Sequence, residues 1–311
     1  MAETDSITDS ASTVPRYVWA TLLTRDSYAM GARVLCRSLQ NAGSSFPLVV
    51  LYTDAVSVPV VERLSKDGAL LQRVEPVEFD AIHNVHQHTR VHYSDLWSKL
   101  RVWQLTQYER VCFLDADMLV VRNMDDAFDV IIDERAGFSL AAAHACTCNP
   151  QQVEGYPRSW VPENCAYTHQ ATRCNGGSPP MPGVHSNYFN SGFMLLTPSQ
   201  TEYDAIMRTL AAHDDLEEFP FADQDLLNLH FEGRVLEMPY FYNALKTMRN
   251  CHSAIWDDNE IRCVHYILKK PWDANRNNPE DRDGPYGFVY KLWWQMQDQL
   301  LAEELIEDDS L

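Results

Sequence analysis

No apolar run in this chain approaches the length of a membrane-spanning helix, no Asn-x-Ser/Thr sequon occurs, and no internal repeat is visible. A helical membrane protein and a repeat array are therefore not expected. Positive charge is short, with 25 Lys and Arg against 44 Asp and Glu, a formal net charge of -19 and a pI near 4.8. That balance excludes a nucleic-acid or anionic-membrane surface, because polyphosphate has to be met by clustered cations. Any phosphate bound here must be held through a metal ion and a few placed cations. No export signal is expected either. Residues 1–15 are acidic, rich in Ser and Thr and without an apolar segment, and are expected to form a disordered tail rather than a signal peptide or an anchor. Eight Cys in a chain without such a signal fit reduced thiols better than a disulfide framework, which places the protein in the cytoplasm.

What the chain does contain is apolar material for a large core, 45% of 311 residues, and one stretch around which the rest is arranged. From Arg110 to Val121 it reads Arg-Val-Cys-Phe-Leu-Asp-Ala-Asp-Met-Leu-Val-Val, an apolar run broken only by Asp115 and Asp117. Length and Val content predict a buried central strand of a parallel sheet. Two carboxylates two residues apart cannot enter such a core without a positive partner. A divalent cation meets that need, since oxygen ligands at a rigid strand end suit Mg2+ or Mn2+, which can bridge phosphate oxygens. The competing reading is a strand-end turn with solvated acids. Asp223/Asp225 and Asp281/Asp283 share the spacing but follow no strand pattern.

A strand at Tyr17 to Leu23, an amphipathic helix from Ser27 to Gln40 and a strand from Pro47 to Thr53 open the fold as a parallel strand-helix-strand unit. Ligands bind beyond the carboxyl ends of such strands, which puts Thr24 to Tyr28 at a mouth. A helix over Val58 to Asp67 and a strand over Leu70 to Val77 lead to His83, His86, His88 and His92 around Arg90. Their spacing matches no zinc template and reads as a solvated loop. A helix from Ser94 to Tyr108 carries Lys99, either a snorkelling surface lysine or a phosphate ligand. Strands follow at Phe138 to Ala143 and Asn190 to Thr197, then a helix capped by Ser199 and another opening at Asp223 and Gln224, where capping is the competing role. His265 lies on a strand from Ile261 to Ile267, and a helix from Pro285 to Ile306 precedes an acidic end expected to fray. Between His144 and Ser186 the chain is irregular and reads as a lid or acceptor-side insertion, with Tyr156, Trp160 and Tyr167 offering faces for a sugar or cyclitol ring. Its Cys146, Cys148, Cys165 and Cys174 could hold a structural zinc but lack a paired Cys-x-x-Cys spacing, so zinc and disulfides stay open.

Taken together, Ala20-Thr-Leu-Leu-Thr-Arg-Asp-Ser-Tyr-Ala-Met-Gly-Ala, Ser98-Lys-Leu-Arg-Val-Trp-Gln-Leu-Thr-Gln-Tyr, Phe113-Leu-Asp-Ala-Asp, Asn190-Ser-Gly, Ala222-Asp-Gln, and His265 followed by Lys270-Pro-Trp form an ordered set of motifs. From about Tyr17 to Trp272 the chain resembles glycosyltransferase family 8, the family of glycogenin and galactinol synthase. The resemblance implies a GT-A fold, α/β and Rossmann-like, with a mostly parallel central sheet flanked by helices. It implies one domain over residues 16–311 with a Cys-containing insertion at about 144–186. It further implies a UDP-sugar donor carrying glucose or galactose, Mn2+ with Mg2+ as the alternative, and a separate small-molecule or glycan acceptor; a homodimer is left open. Asp115, Asp117 and His265 would hold the metal, and one imidazole among oxygen ligands suits Mn2+. Leu22, Thr24 and Tyr28 would embrace uracil and ribose, and Arg90, Lys99 and Lys270 would neutralise phosphate or orient the sugar. Asn190, Asp223 and Gln224 would meet hexose hydroxyls, with Ala116, Ser191 and Gly192 beside them; Lys99, Asp223 and Gln224 are the catalytic candidates. The family retains anomeric configuration, which an acceptor attacking from the face that UDP leaves can achieve without the two carboxylates of a retaining glycosidase.

Some residues depart from the family. No Tyr stands between Asn243 and His265, where glycogenin carries its self-glucosylated tyrosines; Asn250 and His252 stand about there. The step from His265 to Lys270 is one residue shorter than in glycogenin and lacks its glycine, and Pro220 replaces an acid. Two other functions compete: a haloacid dehalogenase-type phosphohydrolase, whose Asp-x-Asp normally ends the first strand of its core, and a non-catalytic UDP-sugar-binding protein, against which the survival of all three metal-ligand candidates argues.

Overall fold

A computed structural model describes residues 14–77, 96–174, 187–213 and 219–309, the side chains of 171–174 and 307–309 excepted. The tail before residue 14, Arg90 and the four histidines around it lie outside the described residues. β1 (Tyr17–Leu23) leads through a short 3-10 turn into α1 (Ala29–Asn41), and β2 (Leu48–Tyr52), α2 (Val58–Lys66) and β3 (Leu70–Arg73) follow. Alternate residues of β1 serve two cores. Val18 and Ala20 meet Val111 and Phe113 on one face, while Trp19 and Leu23 meet Cys112 and Leu114 on the other. A strand apolar on both faces belongs in the middle of a covered sheet, and there it sits.

The remaining strands of this sheet are β4 (Arg110–Leu114), β6 (Leu140–His144), β7 (Phe189–Leu196) and β8 (Val235–Glu237), in the order β3-β2-β1-β4-β7-β6-β8. β7 is antiparallel to both β4 and β6, and the other neighbouring pairs are parallel. After α3 (Ala166–Cys174), α4 (Gln200–Ala211) and α5 (Asp223–His230) cover one face through Ile206, Leu210, Leu226 and Leu227. α1 and α2 cover the other through Leu35, Leu39 and Leu64. Ser199 caps α4, its Oγ accepting from the Glu202 N–H at 3.3 Å.

The expected single strand from Arg110 to Val121 is two strands. β4 ends at Leu114, the chain turns at Asp115 to Asp117, and β5 (Met118–Val120) joins a second sheet with β9 (Ala244–Leu245) and β10 (Cys263–His265), ordered β5-β10-β9. Carboxylates cannot continue through an apolar core, so the run breaks where they occur. The expected helix from Ser94 to Tyr108 is likewise tighter, a 3-10 segment over Ser98–Gln104. After α6 (Met248–Cys251) and α7 (Pro279–Asp283), α8 (Gly287–Asp309) packs Val289, Trp293 and Leu300 against Val34 of α1 and Leu119 of β5. Among the described residues no helix is long and apolar enough to cross a membrane.

Candidate active site

The turn between the two sheets forms the floor of a cleft of about 490 Å³ at the carboxyl ends of β1 and β4, where ligands of parallel sheets bind. Its position is held by backbone bonds: the Asp115 N–H donates to Gly192 O at 2.9 Å, and the Tyr266 N–H donates to Asp117 O at 2.9 Å. α1 presses on it from behind. A Cβ at Gly31 would lie 2.5 Å from Ala116 O and 2.8 Å from the Trp272 ring, so only glycine permits that approach.

Antiparallel pairing of β10 with β5 sets His265 opposite Met118, beside the acids. Its Nε2 lies 3.2 Å from Asp117 Oδ1 and 3.7 Å from Asp115 Oδ2. The other ring nitrogen, Nδ1, is 2.9 Å from Asn243 Oδ1, and Asn243 uses its Nδ2 to donate to Asn190 Oδ1 at 2.9 Å. With the Asn243 amide so oriented, Nδ1 must be the donor, which leaves Nε2 to present a lone pair toward the carboxylates when the ring is neutral. Two carboxylates and an imidazole lone pair converge within 4.8 Å, a donor set that fits a divalent cation such as Mn2+.

Gly192, expected among the donor contacts, does not line the cleft. Its missing side chain leaves room for His265, whose Nδ1 would be 2.8 Å from a Cβ at that position. Gly192→Ala is therefore expected to push the ring off Asp117 and weaken Mn2+ binding at least about tenfold. Calorimetric titration of Mn2+ in the presence of UDP measures this, and an unchanged affinity would show that the ring can give way.

Lys99 is buried rather than snorkelling. Its Nζ lies 3.0 Å from Asp115 Oδ1, 2.9 Å from Asp223 Oδ2 and 3.3 Å from Ser191 Oγ. Burial opposes the charge on Lys99, but Asp115 and Asp223 outweigh it and hold the ammonium more firmly protonated than in free lysine. Asp223 opens α5 without capping it; its carboxylate meets Lys99 and accepts from Ser191 Oγ at 2.8 Å. Burial raises its pKa in spite of Lys99. Burial likewise opposes charge on Asp117, yet the His265 ring in its protonated form and Lys270 more than offset it and hold that carboxyl below the usual range. Lys270 reaches Asp117 directly; the bend before it is made without glycine by Leu268 at φ 64°. Ala222 at φ 45° similarly delivers Asp223 and Gln224, and each such residue costs about 1–3 kcal/mol.

Leu22, Thr24 and Tyr28 line the cleft on the β1 side, Tyr28 standing edge-on to Trp272 at 5.2 Å. Asn190, Ser191 and Gln224 line it as well. Gln224 Oε1 accepts from Asn190 Nδ2 at 2.8 Å, and its Nε2 donates to Tyr188 OH at 3.2 Å, which donates in turn to Asp225. Asn243 and Tyr188, which complete this chain of bonds from His265 to Asp225, were not expected from the sequence. The one local signal was a polar Asn243 in an apolar stretch, and it is fully buried. A second cavity of about 160 Å³ shares Asn190, Phe221 and Gln224 with the cleft and is walled by Tyr156 and Trp160. Trp160 stacks on Phe221 at 4.5 Å. Tyr167 is not part of that wall: it is buried, its hydroxyl donating to His144 O at 2.6 Å.

Comparison with known proteins agrees with this geometry. The model of glycosyl transferase family 8 matches residues 20–276. Galactinol synthase 2 of Solanum lycopersicum is 30% identical over 280 residues, covering 87% of this chain and 76% of its own length. Galactinol synthase 4 of Arabidopsis thaliana is 29% identical over 316 residues, covering 96% and 89%. Among solved structures, the galactosyltransferase LgtC in complex with donor and acceptor sugar analogs superposes with a TM-score of 0.58 at 16% identity, covering 92% of this chain and 96% of that one. The glycosyltransferase GlyE of Streptococcus pneumoniae TIGR4 gives 0.59 at 16% identity, covering 94% and 64%. A glycosyltransferase of the GT-A fold, this chain belongs to glycosyl transferase family 8.

Proposed function

We propose that the protein, as a single domain over residues 16–311 acting in the cytoplasm, uses Mn2+ to move a glucosyl or galactosyl group from a UDP-sugar to a separate hydroxyl acceptor with retention. The observation that carries this reading is the convergence of Asp115, Asp117 and the His265 lone pair beside Lys99 and Lys270 in one cleft. Those two lysines are the placed cations that so acidic a chain needs to hold a diphosphate. Mn2+, held by Asp115, Asp117 and His265, would supply positive charge to the diphosphate.

Lys99 holds a full positive charge at the floor of the cleft, where negative charge grows as UDP departs. Asp223 and Gln224, fixed by Ser191 and Asn190, present a carboxylate and an amide to hexose hydroxyls. Tyr28 offers a ring face to uracil, with Leu22 and Thr24 toward the ribose. The bond from the anomeric carbon to the phosphate oxygen breaks, the acceptor oxygen bonds to that carbon from the same face, and the acceptor proton passes to the leaving phosphate. No protein base is then required, and catalysis is electrostatic and positional. The relatives named galactinol synthases support sugar transfer.

The test is release of UDP from UDP-glucose or UDP-galactose with Mn2+ and a panel of hexose, cyclitol and glycan acceptors. Phosphate release from simple phosphoesters without nucleotide preference would favour the hydrolase instead, and UDP binding without turnover a non-catalytic protein. Because no Tyr stands between Asn243 and His265, the purified protein given donor and Mn2+ alone is expected to gain no hexose mass. Intact mass spectrometry reads this, and a covalent hexose would overturn the need for a separate acceptor.

A further inference from the structure

The loop after β6, the start of α3 and the turn after α6 meet in a small core of their own, distinct from the cores on the two faces of the main sheet. In it the sulfurs of Cys146, Cys148 and Cys165 face one atom, His252 Nε2, at 3.3, 3.2 and 3.5 Å. All four residues are buried, and the four ligand atoms lie within 4.8 Å of one another. A ring nitrogen carries one proton or one lone pair, so three sulfurs at that range exceed what its hydrogen bonding can satisfy. A tetrahedral zinc with Zn–S of about 2.3 Å and Zn–N of about 2.0–2.1 Å requires S···N edges of about 3.5 Å. The observed separations meet that requirement.

We propose that Cys146, Cys148, Cys165 and His252 form a structural Zn2+ site. The group differs from the four cysteines suggested by the sequence: Cys174, at the end of α3, has its side chain outside the described residues, and the imidazole comes from the far side of the chain. Closed Cys3His sets with no open position are structural rather than catalytic. Binding takes the thiols as thiolates, so three protons pass to solvent and the site carries a net charge of -1 with His252 neutral. Thr168 Oγ1 stands 3.6 Å from Cys148 Sγ, placed to donate to that sulfur. Cys251 is 3.9 Å from Cys146 Sγ but lies outside the four-atom group and is less buried. The ion would tie the loop bearing Tyr156 and Trp160 to the segment bearing Leu245 and Thr247, the two sides of the second cavity. This assignment does not depend on what the large cleft binds.

The test uses full-length protein purified under reducing conditions without chelator. Elemental analysis should find about one zinc per chain, and protein grown with Co2+ should show the red d–d bands and near-ultraviolet charge transfer of tetrahedral thiolate cobalt. Asp117→Asn should keep both signals. Cys165→Ser and His252→Ala should lower zinc content at least about tenfold, while His252→Cys keeps the metal with shifted cobalt bands and Cys251→Ser keeps it unshifted. Wild-type protein without zinc and without thiolate–cobalt bands would overturn the site, whether or not the variants fold. So would metal that leaves with Asp117→Asn yet stays in Cys165→Ser, or that is lost with Cys251→Ser yet kept in His252→Ala.

Discussion

Asp117→Asn should fold normally and lose Mn2+-dependent transfer by on the order of a thousandfold, the scale on which removing one well-placed electrostatic group acts. The substitution keeps the shape of the side chain and an oxygen for Lys270, but removes the negative charge that pairs with Lys270 and faces the lone pair of His265. A neutral amide is a poor ligand for a hard cation, so metal affinity should fall with turnover. The measurement is kcat/KM for the UDP-sugar across a Mn2+ titration, with UDP affinity recorded in parallel. EDTA should reproduce the loss in the wild-type protein, and added Mn2+ should reverse it. Undiminished turnover, in the variant or in EDTA, would remove the metal from the proposed reaction.

Lys99→Met should lower kcat about 10²- to 10³-fold while the donor KM moves little, because the charge is needed most where UDP departs. The structure adds a second consequence. Lys99 separates two acids, Asp115 and Asp223, and removing it strands the buried Asp223. Breaking a buried pair costs about 3–5 kcal/mol, offset in part when Asp223, whose pKa burial already raises, takes a proton. Lys99→Met combined with Asp223→Asn should therefore recover thermal stability without recovering turnover. Restored activity in the double variant would make the loss a folding effect. A raised KM with kcat intact would make Lys99 a uniform binding group.

Much of the site follows from the Arg110 to Val121 run alone. Its apolar residues can only be buried strand, and its two acids can only stand where that strand ends, so Asp115 and Asp117 fall at the mouth of the sheet. The near-continuous apolar run from Tyr17 to Leu23 likewise suits a strand covered on both faces, because successive side chains point to opposite sides of the sheet. Lys99, Asp223 and Gln224 were singled out only by the family resemblance, since along the chain Lys99 read equally as a snorkelling lysine and Asp223 as a helix-opening acid.

Other features depended on which distant segments pair. A continuous strand through Val121 was expected, but β5 turns away to pair antiparallel with β10, and that register alone sets His265 beside Asp117. Asn243, which fixes the protonated nitrogen of His265, has no periodicity to announce it. Cys146, Cys148 and Cys165 look unpaired along the chain, since the imidazole that completes the group is Nε2 of His252, more than eighty residues beyond Cys165. Local sequence encodes burial and turn chemistry through nearest-neighbour sterics, whereas ligand sets and tautomers are decided by contacts between segments that meet only when the two sheets have formed.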